Sequence, residues 1–266
     1  MAAIIEARGL TKLFAARDGG PAVHALENVD LVQNEGEFLC IMGPSGCGKT
    51  TLLNIVAGFE KANSGTCRVR GVQVTDAGPD RGVVFQEYAV FPWMTVERNV
   101  VFAMKAAGKW SGGAQARVRD ILDRMGLGHF RAALPKSLSG GMRQRVAIAR
   151  LLAIDSPVML MDEPFGALDS LTRSALQVDL MNLWRETRKT ILFVTHNVDE
   201  AVYLADRIIL MTPRPGRIVR EVRVDLPRPR DITEVRFNEY KREILSVVNP
   251  AADEAEAGAA GTRHES

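Results

Sequence analysis

Short apolar runs recur along the chain and alternate with stretches of helical periodicity. The runs at residues 38–42, 157–161 and 190–195 are continuous, which is typical of strands buried inside a parallel sheet. Helical spacing of apolar residues follows the first run, from about Thr50 to Gly58, and a helix start at Asn197 with Glu200 resembles a capping box. This alternation predicts an α/β core with ligands bound at the carboxyl ends of its strands.

The ends of the chain follow a different pattern. Alternating apolar positions predict further strands, and a last amphipathic helix is predicted over residues 235–248. The segment from Asn249 onward is poor in bulky apolar residues and predicts a disordered tail. The predicted strands occupy residues 4–10, 23–32, 66–74 (as a pair), 82–85 and 218–224, with a loop at 15–21.

A helical block interrupts the predicted sheet between about residues 95 and 134. Thr95 can cap its first helix, and helical spacing recurs over residues 118–125. Just before it, residues 88–94 form an aromatic and apolar cluster in which Pro92 opposes an ordinary helix. This cluster is either core or contact surface, and the inserted helical lobe is a plausible place for a partner.

Composition narrows the function only slightly. With 34 Lys+Arg against 32 Asp+Glu in 266 residues, the net charge of +2 gives no electrostatic argument for binding nucleic acid. The three cysteines lack metal-ligand spacing and are expected to be free thiols in a reducing compartment. No apolar run approaches the ~18 residues needed to cross a bilayer, so we expect a cytoplasmic protein or one that docks on a membrane through partners.

The strongest chemical signal is the glycine-rich stretch that follows the run at 38–42. It matches the phosphate-binding loop motif, Walker A, in its strand-to-helix context, whereas a chance match would leave only a glycine-rich turn. Its backbone N–H groups can surround phosphate oxygens, Lys49 adds a cation, and the Thr50 hydroxyl can coordinate Mg²⁺. The stretch comprises Gly43, Pro44, Ser45, Gly46, Cys47, Gly48, Lys49, Thr50 and Thr51.

A second anion site is predicted where Ser139, Gly140 and Gly141 begin a helix, although Ser-Gly-Gly is also a frequent turn. Acidic residues follow the apolar run at 157–161. At the carboxyl end of that strand, Asp162 can hold Mg²⁺, and Glu163 can take a proton from an attacking water.

Two further residues have both a structural and a functional interpretation. His196 ends the run at 190–195 and would face the same crevice as Glu163, although a lone histidine is usually structural. Phe14, at the start of a loop, is either a core residue or a platform for adenine.

Taken in order, these motifs resemble the ATP-binding subunits of ABC transporters, over roughly residues 4–224. The resemblance implies a P-loop NTPase core with a parallel sheet, an N-terminal antiparallel β subdomain and an inserted α-helical subdomain. It divides the chain into an ATPase domain at 4–226, a helical extension at 227–248 and a tail at 249–266. The resemblance implies that Phe14 stacks on adenine, Gln86 senses Mg²⁺ and the attacking water, Glu163 is the general base, and His196 contacts the γ-phosphate. It implies too that Asp169 lies at the contact between two subunits, and that Ser139, Gly140 and Gly141 meet ATP held by the other subunit.

The segments 86–96, 162–173 and 212–217 resemble more closely the importer branch for nitrate, alkanesulfonates and taurine. This implies a homodimer that uses ATP and Mg²⁺ at the cytoplasmic face of the inner membrane. It would bind transmembrane permease subunits and be served indirectly by an extracytoplasmic solute-binding protein. The alternatives are a soluble ABC-type ATPase with a non-membrane partner, which would usually have two ATPase halves or a long heptad insertion, and a non-hydrolysing module, which would be expected to lack Glu163 or His196.

Overall fold

Two sheets organise the molecule, which a computed structural model describes for residues 2–15 and 21–248. Their strands are β1 (Ala3–Phe14), β2 (Val23–Asn34), β3 (Phe38–Met42), β4 (Ser64–Val69), β5 (Val72–Gln73), β6 (Arg81–Val84), β7 (Val158–Asp162), β8 (Thr190–Thr195), β9 (Arg207–Met211) and β10 (Ile218–Arg223). The first sheet has the order β2-β1-β4-β5 and is antiparallel throughout. It forms the predicted N-terminal subdomain.

The second sheet has the order β10-β9-β3-β8-β7-β6. Its strands β9, β3, β8, β7 and β6 are parallel, and β10 joins the edge in antiparallel orientation. Because β3, β7 and β8 are neighbours that run in one direction, the residues that follow them meet at one edge of the sheet. The predicted fold class is confirmed.

Helices cover the parallel sheet and form the inserted lobe. They are α1 (Lys49–Ala57), α2 (Val96–Ala106), α3 (Ala114–Arg124), α4 (Gly140–Ile154), α5 (Ser170–Thr187), α6 (Val198–Leu204) and α7 (Val235–Val248), with short 3₁₀ turns at Gly128–Phe130 and Pro135–Ser137. The lobe is built from α2 and α3, which both pack on α4. The first lobe helix begins as predicted, because the Thr95 hydroxyl accepts a hydrogen bond from the Arg98 N–H at 3.2 Å.

The core lies on both faces of the parallel sheet, as the continuous apolar runs predict. Along β3, Phe38, Cys40 and Met42 face one buried cluster, whereas Leu39 and Ile41 face the other. This alternation is the two-residue period of a strand with two buried faces. Cys40, Cys47 and Cys67 are buried free thiols, in agreement with the sequence.

The C-terminal helix α7 has the predicted bounds and packs against α6 and β9. Phe237 and Ile244 provide its buried face. The predicted tail from Asn249 lies outside the described residues, as does most of the predicted loop at 15–21, and the division of the chain at residue 226 stays a prediction. No helix among residues 2–15 and 21–248 has the length and apolarity to span a bilayer.

One local prediction is wrong in part. The Asn197 side chain caps α6 by accepting from the Glu200 N–H at 3.2 Å, but the Glu200 carboxylate does not return to the Asn197 N–H. The Glu200 carboxylate instead accepts a 2.6 Å hydrogen bond from the Thr195 hydroxyl. The Thr195 hydroxyl oxygen in turn accepts a hydrogen bond from the Asn197 N–H at 3.0 Å. Thr195 therefore accepts the hydrogen bond from the Asn197 N–H that Glu200 would accept in a capping box, because the Glu200 side chain is buried.

Candidate functional site

The predicted phosphate loop joins the end of β3 to the start of α1, where glycine is required for close backbone contacts. A Cβ at Gly48 would lie 2.6 Å from the Ala25 carbonyl oxygen, and its φ of 93° is left-handed. A Cβ at Gly43 would lie 2.7 Å from the Met211 carbonyl oxygen. Both contacts are shorter than real Cβ atoms allow, so larger residues would displace the loop.

Lys49 is buried beneath this loop. Its ammonium donates hydrogen bonds to the carbonyl oxygens of Gly43 at 2.8 Å and Pro44 at 3.0 Å. The Cys47 sulfur lies 3.8 Å from the same ammonium, and burial raises the pKa of the Cys47 thiol. The ammonium is therefore held against the inner side of the loop, where a phosphate chain would meet it.

A cavity of about 320 Å³ opens over the loop. Phe14 and Glu163 both line it, so the predicted adenine platform and the predicted base border the same space. The lining residues are Phe14, Val23, Ala25, Ser45, Gly46, Gly48, Lys49, Thr50, Thr51, Glu163 and Arg214.

Phe14 is not a core residue. It ends β1 with 37% of its surface exposed, and the Lys12 ammonium lies 4.8 Å from its ring centroid. The alternative that it fills the core is wrong, whereas its stacking on adenine stays a prediction.

Thr50 and Asp162 lie together although they are far apart in the sequence. The Thr50 hydroxyl donates a 3.0 Å hydrogen bond to the Asp162 carboxylate. Burial raises the pKa of Asp162, and the hydrogen bond from Thr50 opposes that rise. Two oxygen ligands at this separation, one of them a carboxylate, suit a hard cation such as Mg²⁺.

Glu163 follows β7 in a left-handed conformation with φ of 44°, which is uncommon for a residue with a side chain. Its Oε2 atom lies 3.0 Å from Nδ1 of His196. A Cβ at Gly166 would lie 3.3 Å from the Gln86 amide nitrogen and 3.8 Å from Glu163 Oε2. His196 therefore contacts the Glu163 carboxylate directly, and the Gln86 amide and that carboxylate both border the space that a side chain at position 166 would fill.

The second predicted anion site lies apart from this cavity. Ser139 caps α4 by accepting from the Met142 N–H at 3.2 Å, and its side chain is exposed. Gly141 packs closely on α5, because a Cβ there would lie 2.5 Å from a Thr172 methyl group. Asp169 caps α5 by accepting from the Thr172 N–H at 3.0 Å. None of Ser139, Gly140, Gly141 and Asp169 is among the described residues that line the cavity.

Comparison with known proteins decides the family. A family model described as ABC transporter matches residues 26–166. The chain belongs to the ABC transporter family. An uncharacterized ABC transporter ATP-binding protein of Methanocaldococcus jannaschii is 48% identical over 244 residues, which are 92% of this chain and 91% of that protein. The taurine import ATP-binding protein of a Jannaschia species is 46% identical over 91% of this chain and 92% of its own length. The nitrate import ATP-binding protein of a Synechocystis species is 44% identical over 90% and 89%.

A solved structure with a similar fold is described as an ATP-binding cassette bound to the products of ATP hydrolysis. A dimeric ATP-binding cassette in a post-hydrolysis state with ADP and Pi superimposes with a TM-score of 0.71 at 33% identity, covering 84% of this chain and all of that one. The protein is therefore an ABC ATPase, and its resemblance to the importer branch is confirmed.

Two residues of this ABC ATPase escaped the sequence reasoning. Arg214 lines the cavity over the phosphate loop, and its Nε donates a 3.4 Å hydrogen bond to the Gly46 carbonyl oxygen. Asn99 is fully buried within α2 and binds the backbone of residues 91–95. The available signal for Arg214 was its place between two prolines, and for Asn99 its place among apolar residues of a helix. Neither pattern indicates which group the side chain contacts.

Proposed function

We propose that this ABC ATPase powers an importer as a homodimer, hydrolysing ATP at two sites shared between subunits and driving uptake of a small anion such as nitrate, an alkanesulfonate or taurine. It would act at the cytoplasmic face of the membrane, attached to transmembrane permease subunits and served indirectly by an extracytoplasmic solute-binding protein. The names of the relatives support this solute class, because one is named for taurine import and another for nitrate import.

One observation carries the shared-site proposal. The cavity over the phosphate loop includes Lys49 and Glu163, whereas the described Ser139–Gly141 helix start is absent from its lining and Ser139 is exposed. An exposed helix N-terminus with a capping serine can donate hydrogen bonds to an anion. The second copy of the chain in the related cassette dimer supports the idea that a partner subunit supplies this group.

The residues at the cavity suggest how hydrolysis proceeds. Lys49 and the loop N–H groups would bind the β- and γ-phosphates, and Phe14 would stack on adenine. Thr50 and Asp162 would hold Mg²⁺, which when bound neutralises part of the charge on the phosphates. Their oxygen ligands and 3.0 Å separation fit this ion.

Proton transfer would then fall to Glu163. Its carboxylate would accept a proton from the attacking water, and Gln86, whose amide borders the same space beside Gly166, would help to orient that water. The contact at 3.0 Å engages Nδ1 of His196, so the opposite ring nitrogen is free to approach the γ-phosphate.

The aromatic segment 88–94 supports a permease contact. Trp93 is 70% exposed, and the Phe91 ring lies 5.6 Å from Trp93 and 4.8 Å from Phe102 between centroids. An exposed aromatic cluster of this kind marks an interaction surface more often than a free one. Since it begins two residues after Gln86, a partner bound there would contact the chain next to the glutamine that we propose orients the attacking water.

A size measurement tests the shared site. Glu163→Gln keeps size and hydrogen bonding but removes the base, so hydrolysis should fall by about 10²–10⁴-fold while ATP still binds. Because uncleaved ATP stabilises the closed pair, the variant should become a dimer with ATP and stay a monomer with ADP, as sizing chromatography with light scattering would detect. Glu239→Gln, an exposed charge-matched change on α7, should leave hydrolysis at the parent rate.

A second change separates the two halves of the site. Ser139→Arg in the Glu163→Gln background should abolish the ATP-dependent dimer, because its side chain would fill the space of the partner's phosphates. Ser246→Arg, at an exposed position on α7, should leave the dimer intact. A Ser139→Arg double variant that still dimerises with ATP would contradict the shared-site proposal.

A further inference from the structure

A second cavity lies at the opposite edge of the parallel sheet from the nucleotide site. It has a volume of about 670 Å³ and is lined by the residues that precede β3 and β9, the last turn of α5 and the chain that leaves β10. The phosphate loop follows the other end of β3, a strand of 5 residues. At ~3.3 Å per residue, this strand alone separates the two sites by about 16 Å.

Positive charge dominates this cavity. Five arginines line it with only two carboxylates, those of Glu37 and Asp206. Each carboxylate is already paired, Glu37 with Arg207 at 2.7 Å and Asp206 with Arg228 at 2.6 Å. The remaining three arginines, Arg185, Arg188 and Arg223, give the cavity its excess of positive charge.

These three arginines are exposed at the rim and have little local compensation. Arg223 has only a 3.9 Å contact with Glu221, and Glu221 lies closer, at 3.1 Å, to Arg207. Glu186, the acid between Arg185 and Arg188 in the sequence, pairs instead with Arg124. Like charges gathered around one cavity repel each other, so an anion within it would be stabilised.

Two residues of the cavity wall, Trp184 and Arg228, carry buried hydrogen-bond donors. The Trp184 side chain is 4% exposed, and the guanidinium carbons of Arg188 and Arg228 lie 5.0 Å and 4.6 Å from its ring centroid. The indole N–H of Trp184 and the Nε–H of Arg228 are buried, and neither has an acceptor within residues 2–15 and 21–248. Buried donors are normally paired, whereas these two donors of the cavity wall are unsatisfied within the described residues.

A purely structural role explains only part of this arrangement. Arg185 and Arg188 lie at the C-terminal end of α5, where cations interact favourably with the helix dipole. Arg223 belongs to β10 rather than to that helix, and its placement on the same cavity has no such reason. The convergence of charges from a helix, two strands and a loop is what a binding site requires.

We propose that this cavity binds a small multivalent anion, either an inorganic oxyanion or a molecule that bears several carboxylates. Bidentate arginine contacts suit both chemistries, and the volume suits a ligand of a few to some twenty atoms. The site is independent of ATP, because it shares no lining residue with the nucleotide cavity.

Tryptophan fluorescence gives a direct test, because Trp184 lies in the cavity wall. Trp93→Phe and Trp110→Phe together leave Trp184 as the only tryptophan, since the chain has three. In this background, without nucleotide, sodium sulfate and sodium citrate would each be titrated against sodium chloride at matched ionic strength. We expect a saturable change in Trp184 emission with at least one of the two anions and none with chloride; which anion binds more tightly distinguishes an oxyanion site from a carboxylate site.

Variants of the rim locate the binding. Arg223→Ala and Arg188→Asn should each raise the dissociation constant about tenfold or more, because each removes a charge-assisted contact. Asparagine is used at position 188 because the backbone there is left-handed, with φ of 49°. Arg220→Ala, on the same strand as Arg223 but outside the cavity, and Lys49→Ala, in the phosphate loop, should leave the dissociation constant unchanged.

The outcome is decisive in either direction when the melting temperature shows that each variant is folded. Saturable binding weakened by both rim variants and unaffected by both controls supports the site. A linear response, an equal response to chloride, rim variants that bind like the parent, or loss of binding in Lys49→Ala would each overturn it. The last result would assign the signal to the phosphate loop.

Discussion

Asn99 should be the residue on which the conformation of the aromatic segment depends most strongly. It is 0% exposed, and its Oδ1 accepts from the Phe91 N–H at 2.9 Å. Its Nδ2 lies 3.1–3.2 Å from the carbonyl oxygens of Phe91, Met94 and Thr95. One side chain therefore binds four backbone groups of residues 91–95.

The magnitude follows from the hydrogen bonds that Asn99→Ala would remove. An amide has one acceptor oxygen and two N–H donors, so about three bonds are formed at once, each with a net value of roughly 0.5–1.5 kcal/mol. We expect the free energy of unfolding to fall by about 2–4 kcal/mol. For a chain of this size, roughly 2–4 °C per kcal/mol converts this into a melting temperature lower by about 5–15 °C.

Urea denaturation, monitored by circular dichroism, would measure the change in the free energy of unfolding. The control is Asn182→Ala on the exposed side of α5, which should change that free energy by about 0.5 kcal/mol or less. Asn99→Asp is the sharper test, because it keeps the shape but puts a carboxylate oxygen against carbonyl oxygens. We expect it to be at least as destabilising as alanine at neutral pH. An Asn99→Asp protein as stable as the parent would refute the reasoning, since shape alone would then explain the site.

Three further predictions concern binding. Phe14→Ala should weaken ATP binding by about 1–3 kcal/mol, because stacking on the adenine is lost. Fluorescent-nucleotide displacement would measure the affinity, and an unchanged affinity would contradict the adenine platform. Arg214→Ala should raise the dissociation constant for ATP about tenfold or more, because a contact between the guanidinium and a phosphate is lost. Arg119→Ala, at an exposed position, is the control, and an equal loss of ATP and adenosine affinity would contradict the phosphate contact. Trp93→Glu should abolish co-purification with a polytopic membrane protein while the isolated subunit keeps its fold and ATPase rate, and a folded variant that still co-purifies with that protein would contradict the permease contact.

The parts of the fold that were predictable are those with a strong period. The continuous runs became β3, β7 and β8, and α7 has the predicted bounds. Strand ends were harder, because pairing decides them: β1 extends to Phe14, four residues beyond the predicted end, since β2 continues beside it. The lobe also needs α4 for its packing, which sequence order alone does not reveal.

Within the site, motifs predicted the residues on sheet edges but not those that come from distant loops. Asp162 and Glu163 were predictable because an apolar strand fixes where they emerge. Arg214 was not, since its approach to Gly46 depends on how the chain turns after β9. The basic cavity was equally invisible, because its arginines are separated in sequence and each resembles an ordinary surface charge.

The segment between Gln86 and Trp93 is constrained at several points, and this limits how it can move. Tyr88 and Ala89 both have left-handed backbones, with φ of 53° and 44°, and Arg150 donates a hydrogen bond to the Ala89 carbonyl oxygen. A Cβ at Gly140 would lie 3.0 Å from the Tyr88 hydroxyl, so the segment also contacts the start of α4. A displacement of Gln86 by nucleotide must therefore either break these contacts or carry along α4 and the lobe packed on it. Because strained residues persist only where their surroundings hold them, rigid movement of α4 with the lobe is the less costly result, and it would move the exposed Trp93 surface together with the Ser139 helix start.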